Sequence, residues 1–284
     1  MHNSKKNRLI DKSFQFWGIG NTFIGIVLLA IFIGYIVYLG ASRLSFDFLS
    51  SLPSRFPDKS GIYTAMIGSV WIMFLTAIFA IPIGVAAAIY LEEYQKKNRF
   101  ANILEINISN LAGVPSIIYG LLGLQVFSRT IGLGGNLLAG ALTLSLLILP
   151  IIIVATREAL KAVPNLIKDA SYALGATKWQ TIRHQILPAA SGGIMTGIIL
   201  SISRAVGEAA PLIVVGALAY VPFVPTSPMD DFSVLPIQIF NWISRPQAGF
   251  IVNAAAGIIV LLVITFSMNL VAILIRNKFE KKMN

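Results

Sequence analysis

Six stretches of this chain are apolar almost without interruption, at residues 17–40, 62–91, 103–127, 137–155, 190–218 and 250–275. A helix of about 20 residues crosses the roughly 30 Å of membrane hydrocarbon. The pattern therefore predicts an all-α membrane protein with six transmembrane helices. The first stretch follows Lys5, Lys6, Arg8 and Lys12. It is longer than the apolar core of a secretory leader, and five more spans follow it, so it reads as an uncleaved anchor. Polar positions gather in two long loops, 156–189 and 219–249. The second holds Pro222, Pro225, Pro228, Pro236 and Pro246. Within it, residues 235–243 form a short amphipathic piece expected to lie at the membrane interface.

Composition agrees with this pattern. Charged residues make up 12% of the 284 positions and hydrophobic residues 56%, against a soluble norm of about 25% charged. Mean hydropathy is +0.78. The chain has no cysteine, which excludes disulfide frameworks and thiolate metal sites. The net charge of +10 is mostly topology. Sixteen Lys and Arg fall on one side of the six spans, in the N-terminus, the 92–102 loop, the 156–189 loop and the C-terminus. Five fall on the other: Arg43, Arg55, Lys59, Arg129 and Arg245. Basic residues concentrate on the cytoplasmic side, so both termini are expected there. The expected organisation is a cytoplasmic segment 1–16, a membrane domain 17–275 and a cytoplasmic tail 276–284.

The cytoplasmic loop has a pattern of its own. Leu166, Ala170, Ala173 and Leu174 share one apolar helical face, with Lys168, Asp169 and Tyr172 off it. Pro164 precedes this helix and Gly175 follows it, an expected start and stop. Thr177 and Gln180 have capping-box spacing and open a second piece that runs to Pro188. A helix–glycine–basic helix also fits a DNA-reading motif. Here the second helix leads directly into a span and cannot lie free in a groove, so no nucleic-acid partner is expected.

Inside the fifth span lie Arg204 and Glu208, one turn apart on one face. A charge at the centre of a span costs about 2.5–3.5 kcal/mol on insertion scales. Neither charge is expected to face lipid. An arginine fork suits a dianionic oxyanion, and the competing explanation is an ion pair that fixes packing. Elsewhere, Asn102, Glu105 and Ser109 are expected to cap or pack. Arg157 and Glu158 are expected to snorkel to the interface. Gly193 and Gly197 are expected to make a helix contact. Prolines 82, 115, 150 and 211 are expected to kink their spans.

Asp169-Ala-Ser171, then Gly175, then Leu187-Pro188 resembles the EAA loop of ABC-importer permeases. Asp stands where that family has Glu, Ser171 where it has Ala, and Gln185 where it has Ile. Ile81-Pro-Ile-Gly-Val-Ala-Ala-Ala-Ile-Tyr-Leu-Glu-Glu-Tyr94, Asn110-Leu-Ala-Gly-Val-Pro-Ser-Ile-Ile-Tyr-Gly120 and Ser203-Arg-Ala-Val-Gly-Glu-Ala-Ala-Pro-Leu212 resemble stretches of the phosphate-importer branch. In that branch one subunit reads Gly-Glu-Thr-Ala-Pro-Leu and its sister Gly-Glu-Thr-Met. Pro211 favours the first, and Ala209 replaces its Thr.

The resemblance implies the type I permease architecture, with 156–189 as the coupling loop. Lys168, Asp169, Ala170, Tyr172 and Gly175 would dock the ATPase, and Arg204 and Glu208 would line the substrate path. The implied partners are a PstC-like permease in a heterodimer, two PstB-like ATPase subunits and a PstS-like phosphate-binding protein. ATP and magnesium would be used by the ATPase, with no cofactor held by this chain and no enzyme activity of its own. The chain also lacks the Gly-x-x-x-x-Gly-Lys-Ser/Thr pattern that cradles ATP phosphates. Three other readings stay open at this level: a sister or other-oxyanion permease, an ion-coupled secondary transporter, and a membrane sensor.

Overall fold

The computed structural model describes residues 2–95, 98–218 and 220–280, with side chains from 11 to 278 except that of 100. Of the charges counted above, Lys96, Lys97, Lys281 and Lys282 lie outside the described residues, as do the side chains of Lys5, Lys6 and Arg8. Twelve α-helices are seen among the described residues: α1 (His2–Gly40), α2 (Phe46–Ser50), α3 (Tyr63–Ile89), α4 (Arg99–Leu111), α5 (Ser116–Gly123), α6 (Leu137–Lys161), α7 (Asn165–Ala173), α8 (Lys178–Thr181), α9 (Leu187–Val206), α10 (Ala210–Val215), α11 (Leu235–Ile243) and α12 (Ala248–Glu280). Short π-helical turns extend α3 (Tyr90–Tyr94) and α5 (Leu124–Thr130), and a third (Ile182–Ile186) joins α8 to α9. The helices α1 and α12 run without a break past residues 16 and 275.

Five helical segments are long and apolar enough to cross a membrane. The remaining expected span, the third in chain order, is broken: α4 and the extended α5 meet at a bend of 102°. The cause is local. Pro115 has no N–H to donate and disfavours helical backbone at Val114. The chain turns at Ala112–Val114, and Tyr119 Oη donates to the carbonyl of Leu111 across the bend at 2.7 Å.

The fifth span breaks as well. Its helix stops at Val206 and restarts at Ala210. A continuous helix would leave the Gly207 carbonyl without the N–H that Pro211 lacks. Restarting puts Pro211 in the first turn of α10, where no helical N–H has a partner anyway. Pro82 and Pro150, by contrast, sit inside α3 and α6.

The core is built on α6, which packs against α3 on one side and α9 on the other. Ile72, Leu144, Leu147, Ile148, Ile152 and Ile186 are buried there. Gly193 and Gly197 let α9 approach closely. A Cβ at Gly193 would lie 2.7 Å from the Ala159 Cβ, and one at Gly197 2.4 Å from the Ala155 Cβ. The four small residues form one seam, as the Gly-x-x-x-Gly spacing predicts. Gly197→Leu should therefore push α9 off α6 and lower the thermal midpoint of the purified protein, since overpacking costs about 1–3 kcal/mol or more. Gly25→Leu, where a Cβ would meet nothing within 4 Å, is the control that should leave the midpoint unchanged.

A second core lies at the end of the bundle formed by the 41–62 and 235–250 segments. Phe48, Ile62, Leu235, Trp242 and Phe250 are buried together. Phe48 and Trp242 rings lie 5.8 Å apart. The piece at 235–243 thus does not lie free at the interface. Its apolar face is covered by α3 and α12, and Ser69 Oγ accepts from the Leu235 N–H at 2.8 Å. Nearby, the Asp230 carboxylate accepts from the N–H groups of Thr226 and Ser227 at 2.8 and 2.9 Å. Those bonds hold its carboxyl below the usual carboxylate range. The carbonyls of Pro228 and Asp230 in turn accept from Leu138 and Leu137, capping α6.

Candidate functional site: coupling loop and broken-helix junction

The polar loop folds as helix, glycine turn, helix. Gly175 has φ +84°, the left-handed region that glycine adopts without steric penalty. Its N–H donates to the Tyr172 carbonyl at 2.9 Å. Beyond it the capping box is complete: Thr177 N–H donates to Gln180 Oε1 at 2.8 Å, and Gln180 N–H to Thr177 Oγ1 at 3.3 Å. Ser171 Oγ and Thr181 Oγ1, 2.9 Å apart, pin α7 to α8. The loop is therefore stiff, and α8 continues through the π-helical turn into α9 without a hinge loop.

The two faces of α7 differ. Leu166 and Leu174 are 78% and 90% exposed, so the apolar stripe points away from the protein. Asp169, Ala170, Tyr172 and Gly175 are exposed with it. Beside them a groove of about 470 Å³ is lined by Ala170, Ser171, Leu174, Gln180 and His184. Lys168 does not join this surface. It turns inward, and its Nζ donates to Glu93 Oε1 at 2.6 Å. The helical wheel placed it correctly off the apolar face, but the acid that attracts it lies 75 residues earlier on a different helix.

Arg157 is also not where snorkelling would put it. It is buried, and its Nη2 donates to Glu105 Oε2 at 3.0 Å and Glu92 Oε2 at 3.3 Å. The two carboxylates are contributed by α4 and the end of α3. Lys161 joins the cluster through Glu105 and Glu158, at 3.3 and 2.9 Å. Sequence reasoning missed Glu92 and Glu93 as partners. Their signal was present: adjacent acids at the end of an apolar span, opposite a basic loop.

Arg204 and Glu208 lie at the second break. Arg204 is in the last turn of α9, not at the middle of a continuous helix, and Glu208 is in the non-helical link to α10. The Arg204 Nε lies 3.6 Å from Glu208 Oε1, with side chains 43% and 19% exposed. That is an ion pair without a close hydrogen bond. The junction is held from outside: a Cβ at Gly120 would lie 2.8 Å from the Pro211 Cα, so α5 seats directly on α10. The two broken helices thus pack on one another, with the pair beside their contact. Non-helical backbone at membrane depth is tolerated where it lines a cavity or is buried in protein. Ser203, next to Arg204, donates to Asn269 Oδ1 of α12.

Residues 80–284 match the family described as "Binding-protein-dependent transport system inner membrane component". The chain belongs to that family. It is a multi-pass membrane permease subunit of an ABC importer, and ATP hydrolysis resides in a separate subunit.

Among its relatives is the probable ABC transporter permease protein YqgI of Bacillus subtilis (strain 168), 32% identical over 266 residues, 89% of this chain and 90% of the relative. The phosphate transport system permease protein PstA of Haemophilus influenzae is 31% identical, again over 89% and 90%. PstA 1 of Mycobacterium tuberculosis (strain ATCC 25618 / H37Rv) is 34% identical over 79% of this chain and 72% of its own.

Two solved structures share the fold. A bacterial alginate ABC transporter chain aligns with a TM-score of 0.67 at 14% identity, over 93% of this chain and 96% of its own. A chain of the MetNI methionine transporter, in an inward-facing form, aligns at 0.59 and 18% identity, over 77% and 94%. At such identities the likeness concerns the fold alone.

Proposed function

We propose that this chain is the PstA-type permease subunit of a bacterial phosphate importer and forms half of the translocation path. The observation that carries the reading is Arg204. Its side chain is 43% exposed on this subunit and only loosely paired, beside the packed junction of two broken helices. That is an environment suited to a hydrated dianion, which a guanidinium binds through paired N–H donors. The run Arg204-x-x-Gly207-Glu208-x-x-Pro211-Leu212 and the PstA relatives favour phosphate over other oxyanions.

In this reading the partners are a PstC-like permease, two PstB-like ATPases that use ATP and magnesium, and a PstS-like phosphate-binding protein outside. The ATPase dimer grips the exposed face of α7 around Asp169. Closing on ATP shifts the loop, and the spans open outward to receive phosphate. The protein resides in the bacterial inner membrane with both termini cytoplasmic. The C-terminal end of α1 meets the N-terminal part of α12, where a Cβ at Gly40 would lie 2.6 Å from the Ala255 carbonyl carbon. That contact is consistent with both termini on one side.

The test is uptake by the complete importer in proteoliposomes. ATP-driven accumulation of radiolabelled phosphate, undiminished by excess sulfate, is the expected result. Accumulation of sulfate or molybdate without phosphate would overturn the assignment. Orientation is checked separately. A cysteine at Ser227 should react with an impermeant maleimide from outside intact cells, and one at Gln180 only after the membrane is breached.

A further inference from the structure

The π-helical turn that ends α3 carries Glu92, Glu93 and Tyr94 in succession. Each engages a different element. Glu92 Oε2 accepts from Arg157 of α6 at 3.3 Å. Glu93 Oε1 accepts from Lys168 of α7 at 2.6 Å. The ring of Tyr94 lies under Lys178 of α8, with Nζ 4.9 Å from its centroid. The Glu93 and Lys168 side chains are only 6% and 19% exposed. An ion pair that deep strongly resists losing one partner, because the other charge would be stranded. π-Turns inside helices recur at functional sites, and this one fans three consecutive side chains toward three helices.

Connectivity gives these contacts a role. Motion of the loop reaches α6 and α9 through the chain itself, since α6 precedes the loop and α9 follows it. Helix α3 is not contiguous in sequence with the loop, yet it packs against one side of α6. The outer face of α7 is free for a partner, while its inner face holds α3 through Lys168.

We propose that the turn Tyr90–Tyr94 is the clamp by which the coupling loop carries α3 with it, with Glu93 and Tyr94 as positioning residues. This rests on the coupling reading above but not on the identity of the cargo.

The test uses the assembled importer and needs only nucleotide. The chain has no cysteine, so spin labels can be placed at Trp179 on α8 of the loop, outside the docking face of α7, and at Ile83 on α3, both exposed. In the wild type their separation should stay constant between the nucleotide-free and ATP-bound states. In Glu93→Gln the loop should move without α3, and the separation should change on ATP binding. In cargo assays the same variant should hydrolyse about tenfold more ATP per ion moved, the scale of an ordinary coupling free energy. The exchanged pair Glu93→Lys with Lys168→Glu should restore the constant separation. Tyr94→Leu, which leaves the buried ion pair intact, serves where Glu93→Gln does not assemble, and should show the same change in weaker form. A separation that changes in the wild type, or that stays constant in every variant, would overturn the clamp. Because the distance is read without phosphate, its outcome is independent of the cargo assignment.

Discussion

Arg204→Gln should stop phosphate uptake while the importer still assembles. The reasoning starts from the geometry of the pair. Arg204 Nε lies 3.6 Å from Glu208 Oε1, too far for a strong hydrogen bond, so the guanidinium keeps donors free for an oxyanion. Losing a hydrogen bond to a charged group costs about 1.5–3 kcal/mol. The lower bound corresponds to roughly tenfold in affinity. Arg204→Lys should also be impaired, because a point charge does not reproduce the planar fork.

A packing role predicts a different pattern. Removing Arg204 alone would then leave the mostly buried Glu208 unpaired and reduce the yield of complex. Arg204→Gln combined with Glu208→Gln would restore both yield and transport. Uptake in proteoliposomes and the yield of intact complex, measured for single and double variants, separate the two. Normal yield without uptake in both supports the pathway role. Recovery of uptake in the double variant refutes it.

Gly175→Pro should have an effect of similar size through another route. Gly175 has φ +84°, and proline is locked near −65°. Proline would also remove the N–H that donates to the Tyr172 carbonyl at 2.9 Å. The turn between α7 and α8 cannot form with both faults, so the exposed face of α7 loses its angle to α9. Insertion of the spans does not depend on this turn. The expected outcome is a complex in which ATP hydrolysis continues with phosphate uptake reduced at least about tenfold. Gly175→Asn, a residue that tolerates the left-handed region, should retain most of the coupling. Full uptake in the proline variant would show that the loop geometry is not used for coupling.

Much of the loop was legible in the sequence because its signals are local. A capping box, a proline start and a glycine stop each act within four residues, and all three are formed as the spacing indicated. The Gly193–Gly197 seam was legible for the same reason, since close helix approach requires small residues at that period. The breaks at 112–115 and 207–209 were less so. Pro115 and Pro211 were visible, but hydropathy windows average across them, and a kinked span reads the same as one bent by 102°.

The sequence by itself determined that this is a membrane protein of about six crossings, with a stiff polar loop and an arginine–glutamate pair in an apolar run. Those conclusions follow from composition, period and short-range steric rules, which need no knowledge of neighbours. Tertiary structure alone decided which charges distant in sequence meet. Lys168 and Glu93 are 75 residues apart, and Arg157 reaches Glu92 and Glu105 across 65 and 52. It also buried one face of α11 and seated α5 on α10 beside Arg204. These outcomes depend on how helices pack. Packing is set by shape and desolvation over the whole bundle, and apart from short-period signals such as the Gly193–Gly197 spacing, one-dimensional patterns do not say which distant side chains meet.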